Sequence, residues 1–205
     1  MPSVSKSPVK VLVTGDVGGQ FECLFRRVGQ VNSKVGPFDS LLCVGEFFGP
    51  SADSNHRLLA GQIQIPVPTY ILGPSQPATA DFYPESGCEL AANLTYLGRK
   101  GQLNTASGLS IAFLSGVQAE TVDSWRFNED TVAELLIPTT ATIGYIGIDL
   151  LLTSDWPADA DKYSTNKPTS EVNGSDLVAK VAAVLKPRYH FAGLRDVHYE
   201  RQPYR

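Results

Sequence analysis

Short apolar runs that stop abruptly at small polar residues are the feature that most constrains the fold of this chain. The first run, Val9 to Gly19, is rich in β-branched residues and reaches a loop that carries Asp16. This pattern predicts a buried central strand. The same construction recurs at SLLCVGE (40–46), TYILGPSQ (69–76), IDLLLTSD (148–155) and YHFAGLRD (189–196). Because the carboxyl ends of parallel strands open into one crevice, we expect ligands to bind there.

Helical patterns separate several of these runs. Apolar residues at i, i+3, i+4 and i+7 predict an amphipathic helix over residues 20–34. We further predict a short helix that runs through Arg57 to Gln62 with Asp53 or Ser54 as its cap, a helix from Glu129 to Leu136 capped by Asn128, and a helix to Leu185 capped by Ser175. Strands that alternate with helices indicate an α/β protein with a parallel-type sheet.

The middle of the chain has a different pattern. Residues 77–93 predict a loop, and the runs NLTYLG, QLNTASG and LSIAFLSG that follow predict a β-meander in a second sheet packed on the first. We expect Ile148 to Leu152 to return to the first sheet and Arg188 to Gly193 to be a last central strand. Residues 156–174 have almost no apolar content and are the best candidate for a mobile loop.

Length and composition indicate one soluble intracellular domain. With 205 residues, 42% hydrophobic, the chain can build one substantial core. We predict a disordered tail over residues 1–8 and a single domain over 9–205, excised from a longer protein. The net charge of −4 gives no overall attraction to nucleic acid or acidic membranes. The three cysteines lack CxxC spacing, and no apolar stretch reaches the ~18 residues that a membrane span needs.

The order of the strand-end clusters resembles the calcineurin-like metallophosphoesterases. Those enzymes carry GDxH, GDxxD, GNH[DE], a lone His and GHxH at five consecutive strand ends, where this chain has GD, GE, GPSQ, TSDWP and FAGLRD. Such ligands hold two divalent cations about 3.5–4 Å apart and generate a hydroxide that attacks phosphorus. The resemblance implies the calcineurin-like fold, in which two packed β-sheets are flanked by helices in an αββα sandwich.

A narrower likeness involves longer blocks of sequence. GDVGGQFECLFRRV, FDSLLCVGEFFG, PTYILG, NLTYLGRKG, LTSDWP, LKPRYHFAG and YERQPYR are similar to the amino-terminal domain of the Cwf-nineteen-like, or CwfJ, family, and together they span nearly the whole chain. The resemblance implies a nuclear protein of pre-mRNA splicing and intron-lariat turnover. It also implies the lariat debranching enzyme and spliceosomal proteins as partners.

Carried over position by position, the resemblance implies that most metal ligands are gone. Asp16 matches the first aspartate, but Gly18 stands for the histidine of GDxH and Glu46 for the bridging aspartate. None of the three histidines falls at an expected position. We therefore expect no catalytic residue and no metal. The vestigial pocket is predicted to consist of Asp16, Gly18, Glu46, Ser75, Gln76, Ser154, Asp155 and Asp196.

Carboxylates left without metals would repel one another and raise each other's pKa values. We predict that they are hydrogen-bonded instead by Ser75, Gln76, Thr153, Ser154 and the Gly18-Gly19 backbone, and that Phe47 or Phe48 fills remaining space. Simpler interpretations also remain open. Asp16 would cap the next helix, Glu46 would pair with a local cation or water, and His190 would be an ordinary strand histidine.

Three functions follow from these patterns. The leading one is a degenerate phosphoesterase domain that acts as a binding or scaffold module in RNA-processing complexes. The rival is a residual phosphodiesterase for RNA or nucleotides, with one Mg²⁺ or Mn²⁺ at Asp16, Glu46 and Asp155, with Asp196 as a further candidate ligand. The third is weak, salt-dependent RNA contact. Its candidate residues are Lys186, Arg188, Tyr189, Arg195, Tyr199, Arg201, Tyr204 and Arg205.

Overall fold

The computed structural model of the chain describes residues 8–203. The predicted tail, apart from Pro8, lies outside the described residues, as do Tyr204 and Arg205. The helices are α1 (Phe21–Val35), α2 (Ala52–Leu59), α3 (Glu129–Thr140) and α4 (Asp176–Leu185), with a 3₁₀ helix at Pro77–Phe82. The strands are β1 (Val11–Thr14), β2 (Ser40–Cys43), β3 (Thr69–Ile71), β4 (Cys88–Ala91), β5 (Leu94–Tyr96), β6 (Lys100–Asn104), β7 (Ser110–Leu114), β8 (Val117–Gln118), β9 (Arg126–Phe127), β10 (Ile148–Thr153) and β11 (Pro187–Ala192).

The main strands form two sheets. The first has the order β1-β2-β3-β5-β4 and the second the order β11-β10-β7-β6, while β8 and β9 form a small separate pair. All neighbours in the two main sheets are parallel except β4 with β5 and β6 with β7. The carboxyl ends of β1, β2 and β3 therefore point the same way, as do those of β7, β10 and β11.

Both strands that the sequence predicts as central, at residues 9–14 and 188–193, are edge strands, so these two predictions are wrong. In β1 the reason is that both faces are covered. Leu12 packs toward α1, whereas Val11 and Val13 pack between the sheets. An edge strand covered on both faces carries the same apolar run as a central strand, so the pattern does not distinguish them.

The predicted meander is also partly wrong. Strand β5 lies in the first sheet, parallel to β3, and only β6 and β7 form a hairpin in the second. Strand β10 lies between β7 and β11, so residues 148–152 belong to the second sheet rather than the first. Within the segment predicted as a loop, 77–93, the structure contains the 3₁₀ helix and β4. Periodicity identifies a strand but not the sheet that it joins.

Three apolar layers hold these elements together. One joins α1 and α2 to the first sheet, the second lies between the two sheets, and the third joins α3 and α4 to the second sheet. The order of layers is thus helix, sheet, sheet, helix. The prediction of an α/β protein with two packed sheets flanked by helices is confirmed at this level.

The four predicted helices are present, but α2 differs from its prediction in its cap and ends at Leu59 rather than Gln62. Asn128 and Ser175 cap α3 and α4 by accepting hydrogen bonds from backbone amides of the first turn. The cap of α2 is Ser51, not Asp53 or Ser54, because the Ser51 hydroxyl accepts the bond from the Ser54 amide. No helix between residues 8 and 203 is long and apolar enough to cross a membrane.

Candidate functional site

The loops that follow the parallel strands of the two sheets meet back to back. A Cβ atom added at Gly193, after β11, would lie only 2.3 Å from the Cα of Gly45, after β2. One added at Gly45 would lie 2.3 Å from the Asp16 carboxylate. Only glycine permits so close an approach. The strand ends of both sheets therefore converge as the sequence predicts, and the carboxylates Asp16, Glu46 and Asp155 with their partners are called the strand-end cluster below.

Asp16 links the loops after β1, β2 and β11. Its Oδ1 accepts a hydrogen bond from the Glu46 amide at 2.7 Å. The pKa of Asp16 is raised, first because burial disfavours its charged form and further because Asp196 is near, while the amides of Glu46 and Leu194 oppose the rise. The helix-cap interpretation is wrong, since α1 begins after Gln20 without any side-chain cap bond. The like charge beside Asp16 comes from Asp196.

Glu46 is almost completely buried, with only 7% of the residue exposed. Both of its carboxylate oxygens accept hydrogen bonds from the protein. Its Oε2 accepts bonds from the Ser75 amide at 3.0 Å and the Ser75 hydroxyl at 2.5 Å, and its Oε1 accepts one from the Thr79 hydroxyl at 2.5 Å. Among the described residues Glu46 forms no ion pair, so the interpretation in which it pairs with a local cation is wrong, whereas pairing with water stays a prediction. Thr79 was not identified from the sequence, because nothing in a loop-like segment shows which hydroxyl will fold back.

Asp155 is the most deeply buried carboxylate of the cluster, at 4% exposure. Its Oδ1 accepts a bond from the Trp156 amide at 2.9 Å and forms a 2.6 Å ion pair with the Nη2 of Arg195. A buried carboxylate needs such a partner, because transfer of an unpaired charge from water is costly. Arg195 was predicted only as an RNA contact, and the structure gives it this internal partner.

The turn that carries Arg195 has an unusual backbone. Leu194, Arg195 and Asp196 are consecutive non-glycine residues with φ of +59°, +74° and +50°. Each left-handed residue of this kind costs roughly 1–2 kcal/mol. The strand-end cluster compensates for this cost, since Asp16 bonds the Leu194 amide and Asp155 holds the Arg195 side chain.

The other predicted donors do not bond the carboxylates, and Ser154, Gly18 and Thr153 bond backbone groups instead. The Ser154 hydroxyl accepts from the Gly116 amide, and the Gly18 amide donates to the Glu46 carbonyl. Thr153 donates to the carbonyl of Asp155 and lies 2.8 Å from the Nε2 of His190. The Gln76 side chain forms no cap bond at the 3₁₀ helix that it precedes. Of the predicted side-chain donors only Ser75 bonds a carboxylate of the cluster.

The two phenylalanines after Glu46 belong to the core between α1 and the first sheet. Both are fully buried, and their ring centroids lie 5.4 Å apart in an edge-to-face contact. Phe47 also packs on Phe21, and Phe48 packs on Tyr83 with centroids 4.9 Å apart. They therefore build an aromatic support directly next to Glu46 in the chain.

The carboxylates of the cluster do not fit a binuclear metal centre. Both oxygens of Glu46 and the Oδ1 of Asp155 already accept short bonds, and a guanidinium stands beside Asp155. Within residues 8–203, no three His, Cys, Asp or Glu side chains are grouped so as to hold a metal ion. The single ion predicted at Asp16, Glu46 and Asp155 needs such a group as well, and these three carboxylates do not form one among the described residues.

The predicted RNA-contact residues fall into two groups. Lys186 and Arg188 lie at the start of β11, whereas Arg195 follows its end. A six-residue strand separates them by about 20 Å. Arg188 has a side chain that is 74% exposed, and Tyr189 is 60% exposed. These residues do not form one continuous patch.

The second group includes Tyr199 and Arg201, which bond the segment 156–174 that the sequence predicts as mobile. The Tyr199 ring stacks on Trp156 with centroids 6.1 Å apart, and its hydroxyl donates to the Asn166 carbonyl. Arg201 donates to the carbonyls of Ala160 and Lys162 at 2.9 Å each. Residues 156–174 are thus a loop, as predicted, but one bonded to the chain after β11. Its mobility stays a prediction.

Comparison with known proteins places the chain among relatives of one kind. It is 55% identical over 196 residues to the CWF19-like protein 1 homolog of Caenorhabditis elegans, which covers 96% of this chain and 37% of that protein. It is 44% identical to CWF19-like protein 1 of Xenopus laevis, over 96% of this chain and 38% of the relative. The human CWF19-like protein 1 is 41% identical over 98% of this chain and 39% of the relative.

No protein-family model matches the chain. The chain spans less than two fifths of the length of these three curated relatives. The alignments nevertheless include 96–98% of this chain, and the identities of 41–55% are well above those of unrelated chains. The chain is therefore a homologue of the CWF19-like protein 1 proteins over nearly its whole length.

Proposed function

We propose that this chain is a catalytically degenerate metallophosphoesterase-like domain that acts as a binding or scaffold module in pre-mRNA splicing and intron-lariat turnover. The observation that carries the proposal is the strand-end cluster. Its carboxylates are taken up by protein donors, namely backbone amides, the hydroxyls of Ser75 and Thr79, and the Arg195 guanidinium. Groups bound in this way stabilise loops and do not bind the two cations that phosphoester hydrolysis needs.

The calcineurin-like fold is part of the proposal. It is supported by the helix-sheet-sheet-helix layers and by the convergence of five strand ends in the order that the sequence motifs require. The splicing role is supported by homology to the CWF19-like protein 1 proteins. We accordingly propose a nuclear location, with the lariat debranching enzyme and spliceosomal proteins as partners.

A phosphodiesterase assay tests the degenerate assignment. The purified protein and its Asp16→Asn variant are incubated with 1 mM-range Mn²⁺ and either bis-p-nitrophenyl phosphate or a 2′,5′-branched RNA. We expect no turnover from either protein, because the ligand set for two cations is absent. Mn²⁺-dependent turnover that disappears in Asp16→Asn would establish the rival, a residual phosphodiesterase.

The partner proposal needs a separate measurement. Purified lariat debranching enzyme is titrated against the immobilised chain, and a Tyr189→Ala variant is included because this side chain is strongly exposed on the edge strand β11. Saturable binding supports the scaffold role. Absence of binding to the debranching enzyme and to a purified spliceosome fraction would contradict it.

Weak RNA contact is a second candidate, favoured by the exposed Arg188 and Tyr189 on β11. Stacking on tyrosine and phosphate contact by arginine are the usual means of single-strand binding. Fluorescence anisotropy with single-stranded RNA should show binding that weakens steeply with salt and falls in Arg188→Ala. The matched control is Arg57→Ala on α2, which should bind like the unchanged protein. Equal RNA affinity of the unchanged protein, Arg188→Ala and Arg57→Ala would exclude Arg188 as an RNA-binding residue.

A further inference from the structure

We propose that the Arg195 guanidinium is the resident cation of the strand-end cluster, and that it and a divalent metal ion exclude each other at Asp155. The inference rests on the proposed function, because it explains how a phosphoesterase-like site remains stable without metals. It makes Arg195 a positioning residue for this site, whereas the sequence predicts it only as an RNA contact.

The first step concerns the charge of Asp155. Its carboxylate is almost completely withdrawn from water and is bonded at Oδ1 by the Trp156 amide as well as by Arg195. One amide does not neutralise a buried charge, so a cation is required. Arginine is suited to this place, because its guanidinium stays charged and needs no further ligands to complete its coordination.

The second step concerns how the cation reaches the carboxylate. The Gly193 amide donates to the carbonyl of Thr153, which fixes the end of β11 against the end of β10. The left-handed backbone that follows brings the Arg195 side chain back over Asp155. The same turn that would present metal ligands in a phosphoesterase therefore presents a cation.

The third step concerns the surroundings. The pair lies in an open cleft of about 630 Å³ whose lining also includes Glu120, Glu129 and Asp176. Arg195 is the one cationic side chain among the described residues that line it. Lys180 pairs with Glu129 from outside that set. Loss of Arg195 would thus leave a buried carboxylate in a negative cleft, which is an environment that attracts a divalent cation.

Thermal unfolding with and without 10 mM MnCl₂ tests the inference on four proteins: the unchanged chain, Arg195→Gln, Arg195→Lys and the control Arg188→Gln. Arg188 is a matched arginine whose contact with Asp149 is long, at 3.7 Å. Without metal we expect Arg195→Gln to lower Tm by roughly 5–10 °C, Arg195→Lys by about half of that, and Arg188→Gln by no more than about 1 °C.

The change in Tm on addition of Mn²⁺ decides whether Arg195 and a metal ion exclude each other. Mn²⁺ should raise the Tm of Arg195→Gln by about 2–5 °C and leave the other three proteins within about 1 °C. An equal rise in the unchanged chain would show that metal and Arg195 coexist, and no rise in Arg195→Gln would show that Arg195 does not stand in a cation's place. Either result overturns the inference, as does an Arg195→Gln variant as stable as the unchanged chain.

A double variant keeps the test decisive if Arg195→Gln does not fold. Asp155→Asn with Arg195→Gln removes both charges, so it should unfold at a higher temperature than Arg195→Gln and show no response to Mn²⁺. A double variant that still responds would contradict the role of Asp155. Phosphodiesterase turnover by the unchanged chain would instead overturn the proposed function, so the two failures are separable.

Discussion

The two buried carboxylates of the strand-end cluster, Glu46 after β2 and Asp155 after β10, are both almost completely withdrawn from water but are stabilised by different chemistry. Glu46 accepts its bonds from neutral groups, the Ser75 amide and hydroxyl and the Thr79 hydroxyl. Asp155 has one backbone amide and one guanidinium. Several dipoles therefore stabilise the carboxylate of Glu46, and a single charge stabilises that of Asp155.

The difference follows from what the neighbouring loops offer. Beside Glu46, the loop after β3 and the 3₁₀ helix bring two hydroxyls to one carboxylate. Beside Asp155, the Thr153 hydroxyl donates to the Asp155 carbonyl and the Ser154 hydroxyl accepts from the Gly116 amide, so neither is bonded to the carboxylate. A carboxylate with enough short donors can stay buried without a counter-ion, and one without them needs a cation.

The largest effect should come from the support behind Glu46. Phe48 is fully buried in an aromatic cluster, so Phe48→Ala should cost about 3–5 kcal/mol of unfolding free energy through lost burial and a cavity. Urea denaturation measures it. On the Asp155 side, Tyr199→Ala removes only one stacked ring and should cost about 1 kcal/mol. Similar losses of unfolding free energy in Phe48→Ala and Tyr199→Ala would show that the aromatic packing beside Glu46 is no more important than that beside Asp155.

Next in size is the coupling between Asp155 and Arg195. A double-mutant cycle with Asp155→Asn and Arg195→Gln should give a coupling free energy of about 2–3 kcal/mol, because one partner is buried. The same cycle on Asp149 and Arg188, a longer and exposed pair, should give about 0–0.5 kcal/mol. Equal coupling free energies would show that burial of Asp155 does not strengthen its ion pair with Arg195.

Acid should weaken the Asp155 region through His190. Burial lowers the pKa of His190 to about 4 from an ordinary value of 6.5. The unfolded chain therefore binds a proton that the folded chain does not, and stability is lost as the pH falls from about 6.5 to 4, by up to about 2–3 kcal/mol. Denaturation midpoints across this range measure the loss. His190→Gln should flatten the profile, while the exposed His198→Gln should leave it unchanged.

The smallest effect should be that of Glu46→Gln. The change replaces one accepting oxygen with an NH₂ group, which can donate but cannot accept from a hydroxyl, so it should cost about 1–2 kcal/mol. The matched control is Glu22→Gln, whose partner Arg57 is on the surface. A cost above that of Arg195→Gln would show that the dipoles around Glu46 contribute more to stability than the guanidinium does at Asp155.

Much of the architecture could be predicted because local patterns carry it. The helical repeat over 20–34, the Asn128 and Ser175 caps and the apolar strand runs correspond to elements in the structure. The strand ends that carry Asp16, Glu46 and Asp155 do converge. Local chemistry sets these features, because periodicity and capping act over one or two turns of chain.

The rest was decided by tertiary contacts. The sequence alone did not show that β1 and β11 are edge strands, that β5 joins the first sheet and β10 the second, or that Thr79 and Arg195 reach Glu46 and Asp155. The physical reason is the same in each case. An apolar run records that a strand is covered but not by which neighbour, and a polar side chain records that it can bond but not which buried group the fold will bring to it.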